Sequence, residues 1–531
     1  MFTKRLALSG LLVLSIFLSA CGAVAPKAEK VATEAPVYEA PAVQPAIGGV
    51  PSGVMEPESL PAAPNNGLVP PAKNREPYDM FFENYGVNPS IDTEDDNLST
   101  FALDVDTGSY TIMRNYLTEG SLPPGDSVRV EEYVNYFEQD YPIPPEHQAF
   151  NISIDGAPSP FTETERYEMI RVGIQGYEVP ASERKDVNLV FVIDVSGSMD
   201  LDNRLGLVKR ALELLVEQLR RTDTVSIVVY GTDARLVLEP TTGSEKGEIL
   251  RAINRLQPEG VTNAEAGLRL GYRTAMLEFK PDGINRIILC SDGVANMGQT
   301  ESDAILSEVR GYVEEGVTLA TFGFGMDNYN DILMEQLADN GDGMYAYIDD
   351  MQEARRLFVE KLTSTLQVIA MDAKVQVDFN PDVVKRYRLV GFENRAIADD
   401  DFRDNRVDAG EIGAGHSVTA LYEVKLFREA YGRLATVNLR WQDPDTRQVV
   451  EISRDFDTGE MAHRFKDASP YFQRSVVVAE YAEILKSSYW AEESSLSAVY
   501  EEAQRIAELF RHDDAMQEFT VLVREALHLW Y

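Results

Sequence analysis

Cysteine is nearly absent: two residues in 531, Cys21 and Cys290, too few for a disulfide framework. Histidine is scarce as well, five scattered residues with none at metal-ligand spacing to another. Positive charge is the rarer sign, 49 Lys and Arg against 87 Asp and Glu, giving a formal charge of −38. Such a surface repels nucleic acid and anionic lipid headgroups, and no basic patch offsets it, so no nucleic-acid partner is expected. Long apolar runs are missing too. The run Leu6 to Leu18 has about a dozen residues, short of the ~20 a spanning helix needs. Neither a Gly-x-Ser-x-Gly elbow nor a phosphate-cradling Gly-Lys-Ser/Thr loop occurs, and no nucleophile, base and orienting acid line up. No catalytic residue is therefore assigned, and a binding protein is expected rather than an enzyme.

What is present begins at the amino end. Lys4 and Arg5 precede the short apolar run, the pattern of a secretory signal. The run ends in Leu18-Ser19-Ala20-Cys21, which resembles the lipobox of bacterial lipoproteins. That resemblance implies a signal peptide over 1–20, lipidation of Cys21, and a chain held to the extracytoplasmic face of a membrane by its lipid. From Gly22 to about Ser90 the composition is Ala, Pro, Val, Glu and Gly without period, and 21–95 is read as a disordered tether. As a coil, about 70 residues average roughly 45 Å end to end. Cys290 closes the apolar Ile287-Ile288-Leu289-Cys290 and is expected to be a small core residue.

Four further segments follow. Over 96–185, a short helix around Tyr110 to Leu117 and helical spacing in Val128 to Phe137 precede strands at Phe150 to Ile154 and Tyr167 to Gln175. Over 186–368, apolar strands alternate with amphipathic helices, the pattern of a doubly wound, mostly parallel α/β sheet. The strands are Leu189 to Ile193, Val225 to Tyr230, Arg286 to Cys290 and Val317 to Phe322. Leu205, Val208, Leu212, Leu215 and Leu219 form one helix face, and later helices fit Lys246 to Leu256, Ala264 to Glu278, Ser302 to Glu314 and Gln352 to Leu366. Over 369–465, β character returns at Ala373 to Phe379, Val418 to Leu426 and Arg433 to Trp441, so a β-rich module built from both flanks is expected. Over 466–531, Ser469 and Pro470 open a helical region. Its aromatics, among them Tyr471, Phe472, Tyr481, Tyr489, Trp490 and Trp530, read as a packing face.

Asp194-Val195-Ser196-Gly197-Ser198 lies just past the carboxyl end of the first central strand, the edge where open α/β sheets bind ligands. One carboxylate and two hydroxyls on a tight loop make a hard-oxygen donor set, suited to Mg²⁺ or Mn²⁺. Gly260-Val261-Thr262-Asn263, before a helix, adds a third hydroxyl, and Ser291-Asp292-Gly293, after a strand, adds a second carboxylate.

At these residues the chain resembles the von Willebrand A family and its metal-ion-dependent adhesion site. The resemblance implies direct ligation by Ser196, Ser198 and Thr262, with Asp194 and Asp292 acting mainly through water. It also implies an open coordination position for a carboxylate from a partner protein. Mg²⁺ is the expected cofactor, with Mn²⁺ and Ca²⁺ as alternatives. Thr100 to Tyr136, Gly391 to Arg395, Val407 to His416 and Val418 to Glu423 resemble the YfbK-like bacterial lipoproteins. Metal-bridged adhesion or assembly in the cell envelope is the function this implies. An envelope scaffold with metal-independent contacts is the alternative, and phosphatase chemistry on the Asp104-Val105-Asp106 loop a more distant one. Gly108 stands where haloacid dehalogenase phosphatases have Thr or Val, and Asn115 stands where a calcium EF-hand needs Glu. Asp399, Asp400, Asp401 and Asp404 read as a solvated acidic loop, and His416 as a structural or hydrogen-bonding residue.

Overall fold

The computed structural model describes residues 80–530 apart from 104, 146, 163–166, 294–298 and 327–328. The expected signal peptide, Cys21, most of the tether and Asp104 lie outside the described residues.

A six-stranded sheet forms the centre, in spatial order Tyr345–Tyr347, Val317–Gly323, Ile284–Ser291, Val187–Asp194, Thr224–Tyr230 and Ala234–Thr242. All pairings are parallel except that of the edge strand Ala234–Thr242. Every residue of Val187–Asp194 is buried, which suits a strand covered on both faces by helices. On one face Leu205, Val208, Leu212 and Leu215 of the helix Arg204–Gln218 pack on Phe191, Ile227 and Cys290. On the other, Leu268 and Tyr272 of the helix Ala264–Ala275 pack on Val192 and Leu289. Cys290 is a fully buried core residue, and burial pushes its thiol far up.

Strands from both flanks of this unit pair with each other. One antiparallel sheet runs Ile91–Asp92, Val384–Val390, Ser417–Leu426, Tyr167–Gly176, Phe150–Pro158. In the second, Val368–Phe379 pairs with Gly410–Gly413, with Arg433–Gln442 and with Leu98–Ala102, and Val449–Asp457 lies on the far side of Arg433–Gln442. The two sheets close one core through Phe101, Ile152, Val172, Val375, Tyr422 and Leu439. The helices Pro470–Leu485, Leu496–Ala507 and Asp514–Trp530 pack against Gly108–Thr118 and Val130–Asn135. Ser469 caps the first of them by accepting the Phe472 N–H at 3.1 Å. Tyr110 stacks on Tyr136 at 3.9 Å, and Phe137 meets Phe519 edge-on, so aromatics from both chain ends share this core.

Two expectations need correction. Residues 80–95, placed in the tether by composition, are anchored. Phe81 N–H donates to Tyr329 O at 2.9 Å, and Ile91–Asp92 pairs with Tyr387 and Arg386. Met80, Phe82 and Ile91 pack against two of the cores, and such isolated anchors leave no period to read. The single helix expected over Gln352 to Leu366 is broken into Met351–Arg355, a π-helical Arg356–Glu360 and Leu362–Leu366. Thr365 Oγ1 bonds back to the Lys361 carbonyl at 3.0 Å, a side-chain competitor for the helix ladder.

Candidate metal centre

Asp194 is fully buried at the end of its strand, and Val195 N–H stays in the sheet by donating to Tyr230 O at 2.9 Å. The chain then turns. Asp194 Oδ1 accepts the Ser196 N–H at 2.7 Å, while Oδ2 accepts from Ser291 Oγ at 3.1 Å, which fixes the carboxylate plane. Met199 N–H bonds to Ser196 O at 3.0 Å, and the tight turn brings Ser196 Oγ and Ser198 Oγ to 3.1 Å. A cation with octahedral bonds of 2.0–2.1 Å sets neighbouring ligands about 2.9 Å apart, so this hydroxyl pair fits one coordination edge.

The Thr262 loop is stitched to the serine loop by backbone. Gly197 N–H donates to Gly260 O at 3.1 Å, and Glu259 N–H to Val195 O. Gly260 has φ +76, and a Cβ there would lie 2.3 Å from Thr232 Oγ1, so the close approach of these loops requires glycine. Asn263 caps the following helix by accepting the Ala266 N–H at 3.1 Å. Thr262 sits half-buried between the two, and its hydroxyl bonds to none of the other four predicted site residues among the described contacts.

Asp292 follows the strand that pairs with Val187–Asp194, so both carboxylates stand on neighbouring strand ends. Burial, and next the charge of Asp292, push the Asp194 carboxyl up to about 6. Burial raises Asp292 as well, opposed by hydrogen bonds from Ser198 and Arg204. Arg204 Nη1 lies 3.0 Å from Asp292 Oδ2, both side chains buried. The guanidinium lies against Gly325, where a Cβ would come within 2.3 Å of Nε. Arg204 and Ser291 are the site residues that sequence reasoning missed. Ser291 adjoins Asp292 and was within reach of it; Arg204 reads as an ordinary helix residue, and nothing in its spacing marks it.

A pH dependence follows. With a folded value of about 6 against the ordinary 3.8, folded Asp194 holds its proton more tightly than the unfolded chain does. The metal-free fold therefore gains stability as pH falls from about 6 to about 4, and carries a penalty of about 3 kcal/mol at neutral pH. A cation needs the carboxylate form, so protons compete with it. The rise in melting temperature caused by Mg²⁺ is expected to be full at pH 7.5 and lost below about pH 6. Melting curves with and without Mg²⁺ across pH 5–8 measure this, and a rise unchanged at pH 5 would contradict it.

Other residues singled out from sequence have different roles. Asp106 accepts the Tyr345 N–H at 3.0 Å and tethers the amino-terminal segment to the central sheet. Asp399 accepts from Thr100 Oγ1, and Asp404 pairs with Arg406, so both are tied to neighbours and not merely solvated. Burial holds His416 neutral, down to about 3, and its Nδ1 has no hydrogen-bond partner among the described residues, so of the two expected roles the structural one fits better. Tyr471 meets Phe510 and Tyr481 meets Phe519 in the helical core, whereas Tyr489 is 68% exposed.

Residues 188–362 match the family model described as von Willebrand factor type A domain. Residues 76–169 match one described as von Willebrand factor, and 364–433 and 428–529 match "Uncharacterized protein YfbK, C-terminal". The chain is 41% identical over 373 residues to the uncharacterized protein YfbK of Escherichia coli (strain K12), covering 69% of this chain and 64% of that protein. It therefore spans just under two thirds of that relative's length. It is 29% identical over 295 residues to the uncharacterized protein sll0103 of Synechocystis sp., covering 54% of this chain and 68% of that one. Among solved structures, a von Willebrand factor type A protein from Catenulispora acidiphila aligns at TM-score 0.44 and 16% identity, covering 72% of this chain and 90% of that one. Domains of this type commonly mediate protein interactions and often bind a divalent metal.

Proposed function

We propose that this chain, similar to YfbK and built around a von Willebrand factor type A domain, is a membrane-tethered, extracytoplasmic lipoprotein that binds a protein partner through a divalent cation. Ser196, Ser198 and Thr262 would hold the cation directly, with Asp194 and Asp292 acting through water, and Mg²⁺ fits the all-oxygen set. When bound, the cation supplies a positive centre incompletely neutralised by hydroxyl ligands, which attracts a carboxylate from the partner. The chain's own residues orient the donors. Ser291 and the Ser196 N–H fix Asp194, Arg204 fixes Asp292, and the Gly197–Gly260 bond joins the two hydroxyl loops.

The observation that carries this reading is the 3.1 Å pair of serine hydroxyls beside two buried carboxylates with raised proton affinity. Leu201 and Val261, 51% and 67% exposed, flank the site and give an apolar rim for a protein surface. No helix among the described residues is long and apolar enough to cross a membrane; the proposed anchor is Cys21, on the strength of its Leu18-Ser19-Ala20-Cys21 sequence. A metal-independent scaffold is favoured by one observation, the Arg204–Asp292 pair, because a guanidinium already neutralises one carboxylate without a cation.

Capture from native envelope extract separates the two. The chain serves as bait in Mg²⁺, in chelator, and as Asp194→Ala. A protein lost with both chelator and mutant supports metal-bridged binding. Partners equal in all three captures support the scaffold.

A further inference from the structure

At the opposite edge of the central sheet, the amino ends of Ile284–Ser291 and Val317–Gly323 and the start of Val368–Phe379 enclose a cleft of about 590 Å³. Its size and its place at the junction of two modules are those of a small-molecule site. Its charged lining includes Asp282, Arg447 and the Lys185–Asp445 pair, and also Arg286, Asp342 and Glu411, which form no ion pair with one another among the described residues. Arg286 is only 3% exposed, with Nε donating to Thr318 Oγ1 at 2.9 Å and Nη1 to Thr365 O. Its Nη2 has no hydrogen bond, and the guanidinium no ion-pair partner, among the described residues. A buried guanidinium with no direct ion pair is costly: burial brings Arg286 down to about 10, although the charges of Glu411 and Asp342 act the other way.

Asp342 and Glu411 line the same cleft, and with Asp408 bring carboxylate oxygens within 4.8 Å of one another. Neither the Asp342 nor the Glu411 side chain has a hydrogen bond or ion pair among the described residues. Burial raises both, Asp342 to about 6, with each other's or Asp408's charge adding to it. A cation alone would suit the acids and leave Arg286 unmatched; an anion alone would do the reverse. The lining also has an apolar part, formed by Phe279, Ile284, Val313, Leu366 and Met371.

We infer that this cleft binds a small zwitterion with an apolar body, its carboxylate on Arg286 and its ammonium on Glu411 and Asp342, the chemistry shared by free amino acids and short peptides. The inference is independent of the metal centre, which lies at the other edge of the sheet.

The test is calorimetric titration of the whole chain with L-leucine and with Leu-Leu, which separates the two sources. Isopentylamine and 4-methylpentanoate, each lacking one charge, serve as controls, and CaCl₂ tests a bare cation site. Saturable binding of one zwitterion is expected, at least about 10-fold tighter than either control. Glu411→Gln, at the cleft wall, and Met371→Trp, which fills the cleft and keeps both charges, should each weaken it by a similar factor, whereas Asp194→Ala leaves it unchanged. Melting curves of each variant establish that it is folded. Absence of zwitterion binding, equal binding of a one-charge control, or binding of Ca²⁺ alone that Glu411→Gln removes would overturn the inference.

Discussion

Asp194→Asn lowers the affinity of the chain for Mg²⁺ by about 10–100-fold, the cost of removing an outer-shell carboxylate, without loss of the metal-free fold. The two halves of that result have separate causes. Affinity falls because one of the two negative charges beside the serine hydroxyls disappears, although the oxygen that accepts the Ser196 N–H at 2.7 Å is kept. The fold persists because the charge is a burden in the metal-free chain. Burial and Asp292 have already pushed Asp194 up to about 6, so a neutral amide relieves repulsion there. Asp194→Ala loses the loop-fixing hydrogen bonds as well and should bind Mg²⁺ no better than Asn. Calorimetric titration gives the affinity, and melting of the metal-free variants gives the fold. Unchanged affinity in a folded Asp194→Asn chain would remove Asp194 from the site.

Arg129→Leu destabilises the chain by about 3–5 kcal/mol, the cost of stranding buried charge. Arg129 precedes the helix Val130–Asn135, and its Nη2 lies 2.6 Å from both Asp331 Oδ2 and Glu335 Oε2. Its Nε lies 3.3 Å from Glu132 Oε1, and all four side chains are at most 7% exposed. Asp331 and Glu335 lie four residues apart on the helix Asp331–Asp339 of the central domain, facing the amino-terminal segment. Arg395 adds a second clamp to the same helix, at 3.0 Å from both Glu335 and Asp339. Removing Arg129 leaves more buried acid than Arg395 can neutralise. Urea unfolding measures the loss, and Arg129→Lys should recover part of it, since a point charge cannot reach three carboxylates as a planar fork does. A loss under about 1 kcal/mol, the scale of a surface pair, would show that the cluster is not a buried clamp.

The central sheet was legible because its strands are continuous apolar runs and its helices have one clean face, both local patterns. The serine loop, Thr262 and Asp292 were legible for a related reason, since each adjoins a strand or helix end and chain order places them at one edge. What escaped was non-local. Arg129, Arg204 and Arg395 look like ordinary surface arginines until Asp331, Asp292 and Glu335 are brought to them by folding. The edge strand Ala234–Thr242 went unread because it is half-exposed and carries Pro240, which suits an edge and weakens the strand pattern. The helix Asp331–Asp339 was missed for its length, nine residues, too few for a period to stand out. Arg286 and Glu411, 125 positions apart, gain meaning only from a cleft that no periodicity predicts.

Anomalous diffraction from crystals of the chain grown in Mn²⁺ at pH 7.5 locates the cation directly. The expected peak lies about 2.0–2.2 Å from Ser196 Oγ, Ser198 Oγ and Thr262 Oγ1, with Asp194 and Asp292 reached through water. No peak there at saturating Mn²⁺, or a peak confined to Asp342, Asp408 and Glu411, would contradict the proposed metal centre.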